Sequence, residues 1–255
     1  MNEKNKSEEN LPVIVVPVEA VQLCIANSKR LLIDSDSVSE PTEAALVEIA
    51  LEEVLKAWVL FFNLNDSARW SKTDRNAREK MSMRLDPRIS KEIMAETEKL
   101  KEEYAKIIPS NQFLSAIFKG PQAHSKKLQT FEYVKRHCEL LSKIVPDGLD
   151  LNDVLQWMGH GFVKLSEAEN EVVISALKEL VEQFSRIDEK KIRSVVYFKE
   201  SGLYVNLEGS VFISPDFYPF LFLDEIKDIV YSLIHFLSGM FMSVVKGSNT
   251  ISNGA

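Results

Sequence analysis

The sequence predicts a mainly α-helical bundle carrying one small β-hairpin or strand arm near residues 194–214. Glycine is scarce, at 9 of 255 residues. Long stretches carry apolar residues at the i, i+3, i+4 spacing of a helix face. Only one run changes texture. SVVYFKESGLYVNLEGSVFIS, Ser194 to Ser214, is rich in Val, Tyr, Phe and Ile. Turn material at Glu200-Ser201-Gly202 and Glu208-Gly209 divides it into two or three short strands.

Each element has its own signal. A first helix is expected over about Val18–Ser37. A second follows Ser39-Glu40-Pro41-Thr42-Glu43, where an early proline and acidic residues mark a helix start, and it runs to about Asn63. Residues 64–86 are polar and basic and read as a long connection. Further helices are expected over Pro87–Ile108, Gln112–Phe118 and Gln122–Ile144, the last stopped by Pro146-Asp147-Gly148. A short helix is expected over Leu151–Met158. Ser166 and Glu169 stand at capping-box spacing and open a helix reaching Arg186. A final helix covers about Leu223–Val245. The expected organisation is a polar leader over 1–17, the bundle with its arm over 18–220, an apolar helix over 221–245 and a flexible tail over 246–255.

Composition narrows the function classes. A formal charge of -7 disfavours indiscriminate coating of nucleic acid or anionic membrane. Two basic clusters, 69–84 and 119–136, are either solvated faces or surfaces for a phosphate backbone. Cys24 and Cys138, the two cysteines, lie in helical apolar patterns far apart in sequence, which suits a reducing cytoplasm. The start MNEKNKSEEN lacks the apolar core of a signal peptide. Ile229 to Val245 has no charged residue and stands at the short end of membrane-spanning length. It reads as a buried helix or dimer face, with a tail anchor as the alternative, so a membrane partner is not expected. No phosphate-binding glycine loop, zinc-ligand set or nucleophile motif is present, so no cofactor or metal is expected.

The second helix contains an anomaly. At about 100° per residue, Glu48, Glu52 and Lys56 form one charged ribbon, readable as an exposed ladder. Glu53 instead falls inside an apolar strip with Leu46, Ile49, Ala50, Ala57 and Leu60. A carboxylate there must be paired or protonated. Lys56, three residues on, is the partner in reach. Glu53 is then either half of a structural ion pair or a buried acid with a tuned pKa. Two other helices show similar polar intrusions. Asn27 and Asp34 share a face near Leu31 and form a candidate polar core of the first helix. His124 and Lys127 share a face at i, i+3.

Taken together these residues resemble a family. IANSKRLLIDSDSVSEPTEAALVEIALEEVLKAWVLFF, Ile25 to Phe62, is similar to the opening of abortive-infection protein V (AbiV), within the HEPN group of helical bundles. The matching positions are Asn27, Leu31, Leu32 and Asp34, then Glu52, Glu53 and Lys56, then His124 and Lys127. FKESGLYVNLEGSVFISP resembles a later segment of that family at Lys199, Leu203, Tyr204, Val205, Asn206, Ser214 and Pro215. The resemblance implies a HEPN-like antiparallel bundle, a homodimer, and a role in phage defence.

It also implies Glu53, Lys56, His124 and Lys127 as a polar core. If the chain cleaves RNA without metal, these are its catalytic residues. His124 is then the base or acid, and Lys127, Lys119 or Lys56 the cation. Lys119, Lys126, Arg136, Lys199 and Tyr204 are candidate contacts to RNA or to a phage-encoded protein. One departure counts against cleavage. HEPN ribonucleases place an arginine four to six residues before a histidine, and none of the histidines here has one. Lys119 stands five residues before His124, and lysine lacks the bidentate fork of arginine. The alternative is a non-catalytic interaction protein that stops infection by binding a phage or host protein, with the strand arm as a docking edge.

Overall fold

The computed structural model describes residues 18–63, 123–144, 165–203, 206–208, 211–214 and 220–252, with scattered positions between 91 and 102 and at 151, 152 and 155. Its helices are α1 (Val18–Ser35), α2 (Glu40–Asn63), α3 (Ala123–Ile144), α4 (Glu167–Ser185), α5 (Glu189–Val195), α6 (Phe198–Leu203) and α7 (Leu223–Ser252). The protein is mainly helical. The connection expected over 64–86, the short helix over 112–118 and the leader lie outside the described residues. Most of the helix expected over 87–108 does too.

α2 is the hub. From Ala44 to Phe62 it is apolar on nearly every side, and it is buried on nearly every side, as expected of a helix without a polar face. α1 lays Val21, Ile25, Ser28, Leu32 and Ser35 against it, a stripe at i+3/i+4 spacing. The pair is antiparallel. Ser28 Oγ donates to the Ala50 carbonyl at 2.8 Å, and Cys24, one turn earlier, meets Glu53, one turn later.

α3 and α7 run in the same direction as α2. Lys127 meets Glu48 and His137 meets Trp58, in both cases 79 residues apart, so α2 and α3 are parallel and in register. Lys227 of α7 reaches Glu43 while Phe236 stacks on Trp58, so α7 also parallels α2. The expectation of an antiparallel bundle holds for the short-looped α1–α2 pair and is corrected for α3 and α7, which share the direction of α2.

α4 starts on the expected capping box. The Ser166 side chain accepts from the Glu169 N–H, and the Glu169 carboxylate accepts from the Ser166 N–H at 2.9 Å. α4 then buries Val173, Ala176, Leu177, Leu180 and Phe184. α7 passes so close to it that a Cβ at Gly239 would stand 2.9 Å from the Val173 side chain. Ile226, Ile229, Val230, Leu233, Phe236, Leu237 and Met240 of α7 are buried in the same core as α2 and α4. The apolar run 229–245 is thus a core helix in its described part. Among the described residues, no helix is long and apolar enough to cross a membrane. α7 continues to Ser252 rather than ending at Val245.

The strand arm is the largest correction. Residues 189–195 and 198–203 are helical, and pairing is confined to an antiparallel ladder of Asn206–Glu208 with Val211–Ile213. Asp188 caps α5, its carboxylate accepting from the Lys191 N–H at 2.8 Å. Ile192, Val195 and Val196 fall on one buried side of that turn. Their burial overrides the strand preference of β-branched residues. α6 lies directly on the first turns of α2. A Cβ at Gly202 would overlap the Pro41 carbonyl oxygen, so the glycine is what permits that approach.

Candidate functional site: a buried lysine between two glutamates

Glu48 and Glu52 stand one turn apart on α2 and point away from α1. Both are buried, at 1% and 7% exposure. Between them, from α3, comes Lys127, itself only 4% exposed. Its Nζ donates to Glu48 Oε1 and lies 2.6 Å from Glu52 Oε1. The second Glu48 oxygen, Oε2, accepts the backbone N–H of Lys199 at the start of α6. The Lys199 Nζ lies 3.7 Å from Glu52 Oε1. Three buried charged side chains and the partly exposed Lys199, from three elements, thus form one cluster. Glu48, Glu52 and Lys127 border a cavity of about 10 Å³, walled further by Leu51, Leu55 and Phe131 and by Ile192, Val195 and Val196. That is about the room one water molecule needs, and far below the size of a small-molecule pocket.

The electrostatics follow from two acids sharing one deeply buried cation. Burial pushes the Glu48 carboxyl up to about 7, against the opposing pull of Lys127 and of the Lys199 N–H, while nearby Glu52 adds to the rise. For Lys127 burial acts downward, but the two carboxylates outweigh it and its pKa is raised. The two carboxylates therefore hold Lys127 in its cationic form, and Glu48 is the carboxyl whose hold on a proton burial strengthens.

This carries a stability consequence with a definite sign. A raised carboxyl pKa means the folded state binds the proton more tightly than the unfolded state. Glu48 should therefore draw stability down as pH rises from about 4.5 to about 7, by roughly 3 kcal/mol at most. Glu48→Gln should flatten that part of the curve. Urea midpoints at intervals from pH 5 to pH 8 would check this, and identical slopes for the two proteins would rule out the assignment.

The sequence-derived candidates divide into separate groups. Lys127 joins Glu48, Glu52 and Lys199. Glu53 and Lys56 pair with each other at 2.6 Å, as expected for i, i+3, but on the α1 side of α2. There Glu53 also meets Cys24, whose thiol is pushed up to about 11 by burial first and by Glu53 second. Glu53 is half-buried rather than the most enclosed acid of α2. The expected exposed ladder of Glu48, Glu52 and Lys56 is corrected: α2 has no free face there, and both acids turn inward to Lys127.

His124, one turn before Lys127, stacks on Tyr197 with ring centroids 4.5 Å apart. Asn27 and Asp34 do meet, bridged by Arg30 at 3.0 and 2.7 Å. Asp34 and Arg30 are exposed, so this is a surface network and not a polar core. Lys126 is half-buried and Arg136 exposed. Lys119 and Tyr204 lie outside the described residues.

Glu48 and Tyr197 are the site residues that sequence reasoning missed. The available signal for Glu48 was the apolar character of α2 on every side, which leaves no solvent for a ladder. For Tyr197 there was none. Among the described residues no three His, Cys, Asp or Glu side chains are grouped so as to hold a metal ion. No known protein family, curated protein or solved structure matches the chain.

Proposed function

We propose that the chain is an abortive-infection protein of the AbiV type, within the HEPN group, that protects a bacterium by interrupting phage development. One observation supports the reading above the others. Glu52, Lys127 and Lys199 belong to three motifs of that resemblance, spread over about 150 residues of sequence, and they meet around one buried charge cluster. Motifs that converge in space are what a shared fold with a shared site would produce.

The mode of action best supported is binding of a phage or host protein, with translation arrest as its result. With Lys127 buried and its charge taken up by Glu48 and Glu52, the cluster presents only the partly exposed Lys199 to a phosphate backbone. RNA cleavage is the second reading. It is favoured by the His124–Tyr197 stack, because Tyr197 is 52% exposed and could carry a base on its open side.

Plating tests the role. Cells expressing the chain should form fewer plaques than control cells when challenged with a panel of phages. Undiminished plaque counts with the folded protein present would overturn the defence reading. Incubation with RNA separates the two modes. No degradation, or equal degradation by wild type and His124→Ala, is expected if the protein acts by binding. Degradation that His124→Ala abolishes would establish cleavage.

A further inference from the structure

We propose that α6 is a strap over the Glu48–Glu52–Lys127 cluster, and that its undocking from α2 is the step that opens the cluster to solvent. The inference deepens the reading above, since it names what controls access to that site.

α6 is six residues long and, among the described elements, packs chiefly on α2. Its polar attachments run to the cluster itself. The Lys199 N–H is held by Glu48, and the Lys199 ammonium faces Glu52. Its apolar anchor is Phe198, buried against Phe220 with centroids 5.6 Å apart. At Gly202 the approach is to the Pro41 backbone and the small Ala45 methyl. Tyr197 and Leu203, at its two ends, are exposed.

A segment with so few buried side chains sits at the low end of local stability. The groups beneath it favour opening as well. Removing an apolar cover from apolar neighbours exposes oil to water, but removing α6 rehydrates two carboxylates and an ammonium. Their desolvation penalty is then relieved, which offsets part of the lost packing. Closed, the strap occupies Glu48 and Glu52 through Lys199, and the two acids hold the buried Lys127. Open, it would leave a lysine and two acids facing outward, with His124 released from Tyr197.

The test reads accessibility in the intact protein. Lys127 is acetylated with a small amine-reactive ester, and the fully buried Cys138 is alkylated in parallel as a reporter of global opening. Both are quantified by peptide mass spectrometry. Phe198→Ala should speed modification of Lys127 by about 10-fold while leaving Cys138 unchanged, as local opening requires. Equal acceleration at both residues, or none at Lys127, would sink the proposal.

If Phe198→Ala does not fold, hydrogen exchange of the wild type decides. The amides of 199–203 should then exchange about 100-fold faster than those of 54–58, and equal protection would show that α6 opens only with the whole fold. The two proposals fail separately. A protein with a working strap and no effect on plaques loses only the defence role, and a protective protein with an immobile α6 loses only the strap.

Discussion

Lys127→Leu is expected to cost about 3–5 kcal/mol, enough to unfold a domain of ordinary stability. The lost ion pairs are not the main reason. Glu48 and Glu52 would remain buried on α2 with their shared cation gone, and an uncompensated buried carboxylate is far more costly than a missing contact. Two further results separate this account from a simple packing defect. The variant should regain stability as pH falls, because protonation neutralises the stranded Glu48, whose carboxyl burial already pushes up; a raised carboxyl pKa in the folded state requires that direction. Second, replacing all three residues together, Glu48→Leu, Glu52→Met and Lys127→Leu, should recover most of the loss, since an apolar trio leaves no buried charge. A triple variant as unstable as the single one would show that the cluster does not act as a unit. Chemical denaturation followed by circular dichroism measures all of these.

Trp58→Ala is expected to cost a further large amount, about 3–5 kcal/mol, through the cavity it leaves. Trp58 is fully buried at the crossing of α2, α3 and α7. Its ring stacks on Phe236 at 5.2 Å and tilts against Phe62 at 4.8 Å. Its Nε1–H donates to His137 Nδ1 at 3.1 Å, so the substitution also removes a buried donor. Trp58→Phe separates the two effects. It retains much of the aromatic packing and loses the donor, and should cost about 1–3 kcal/mol. Equal losses for the two variants would mean that the hydrogen bond, and not the volume, dominates at this position.

Much of the fold was legible because it rests on local rules. The Ser166/Glu169 capping box, the Glu40-Pro41 start of α2 and the 3.6-residue periodicity of α1, α3, α4 and α7 each act within a few residues. The candidate site was less legible. Lys127 and Glu52 stood out as motif positions, but their pairing depends on α2 and α3 lying parallel in register, and no local pattern encodes that. Glu48 was read as exposed because helical periodicity shows which residues share a face, not which face meets solvent. The strand arm was right only for the hairpin over 206–213, and its first half failed for a related reason. Val195, Val196 and Phe198 have the side chains of a strand, and only their burial against the bundle makes helix the lower-energy choice.

The sequence by itself determined a mainly helical chain, the positions at which its main helices start, and the presence of a few charged groups on faces too apolar to hold them. Those follow from hydrogen bonding and side-chain spacing within single elements. Tertiary structure alone decided which of those charges are buried together. Glu53 and Lys56 neutralise each other within one turn, whereas Glu48 and Glu52 need a lysine from another helix and a backbone amide from α6. Burial makes such charges costly until they are paired, and the partners lie far apart along the chain.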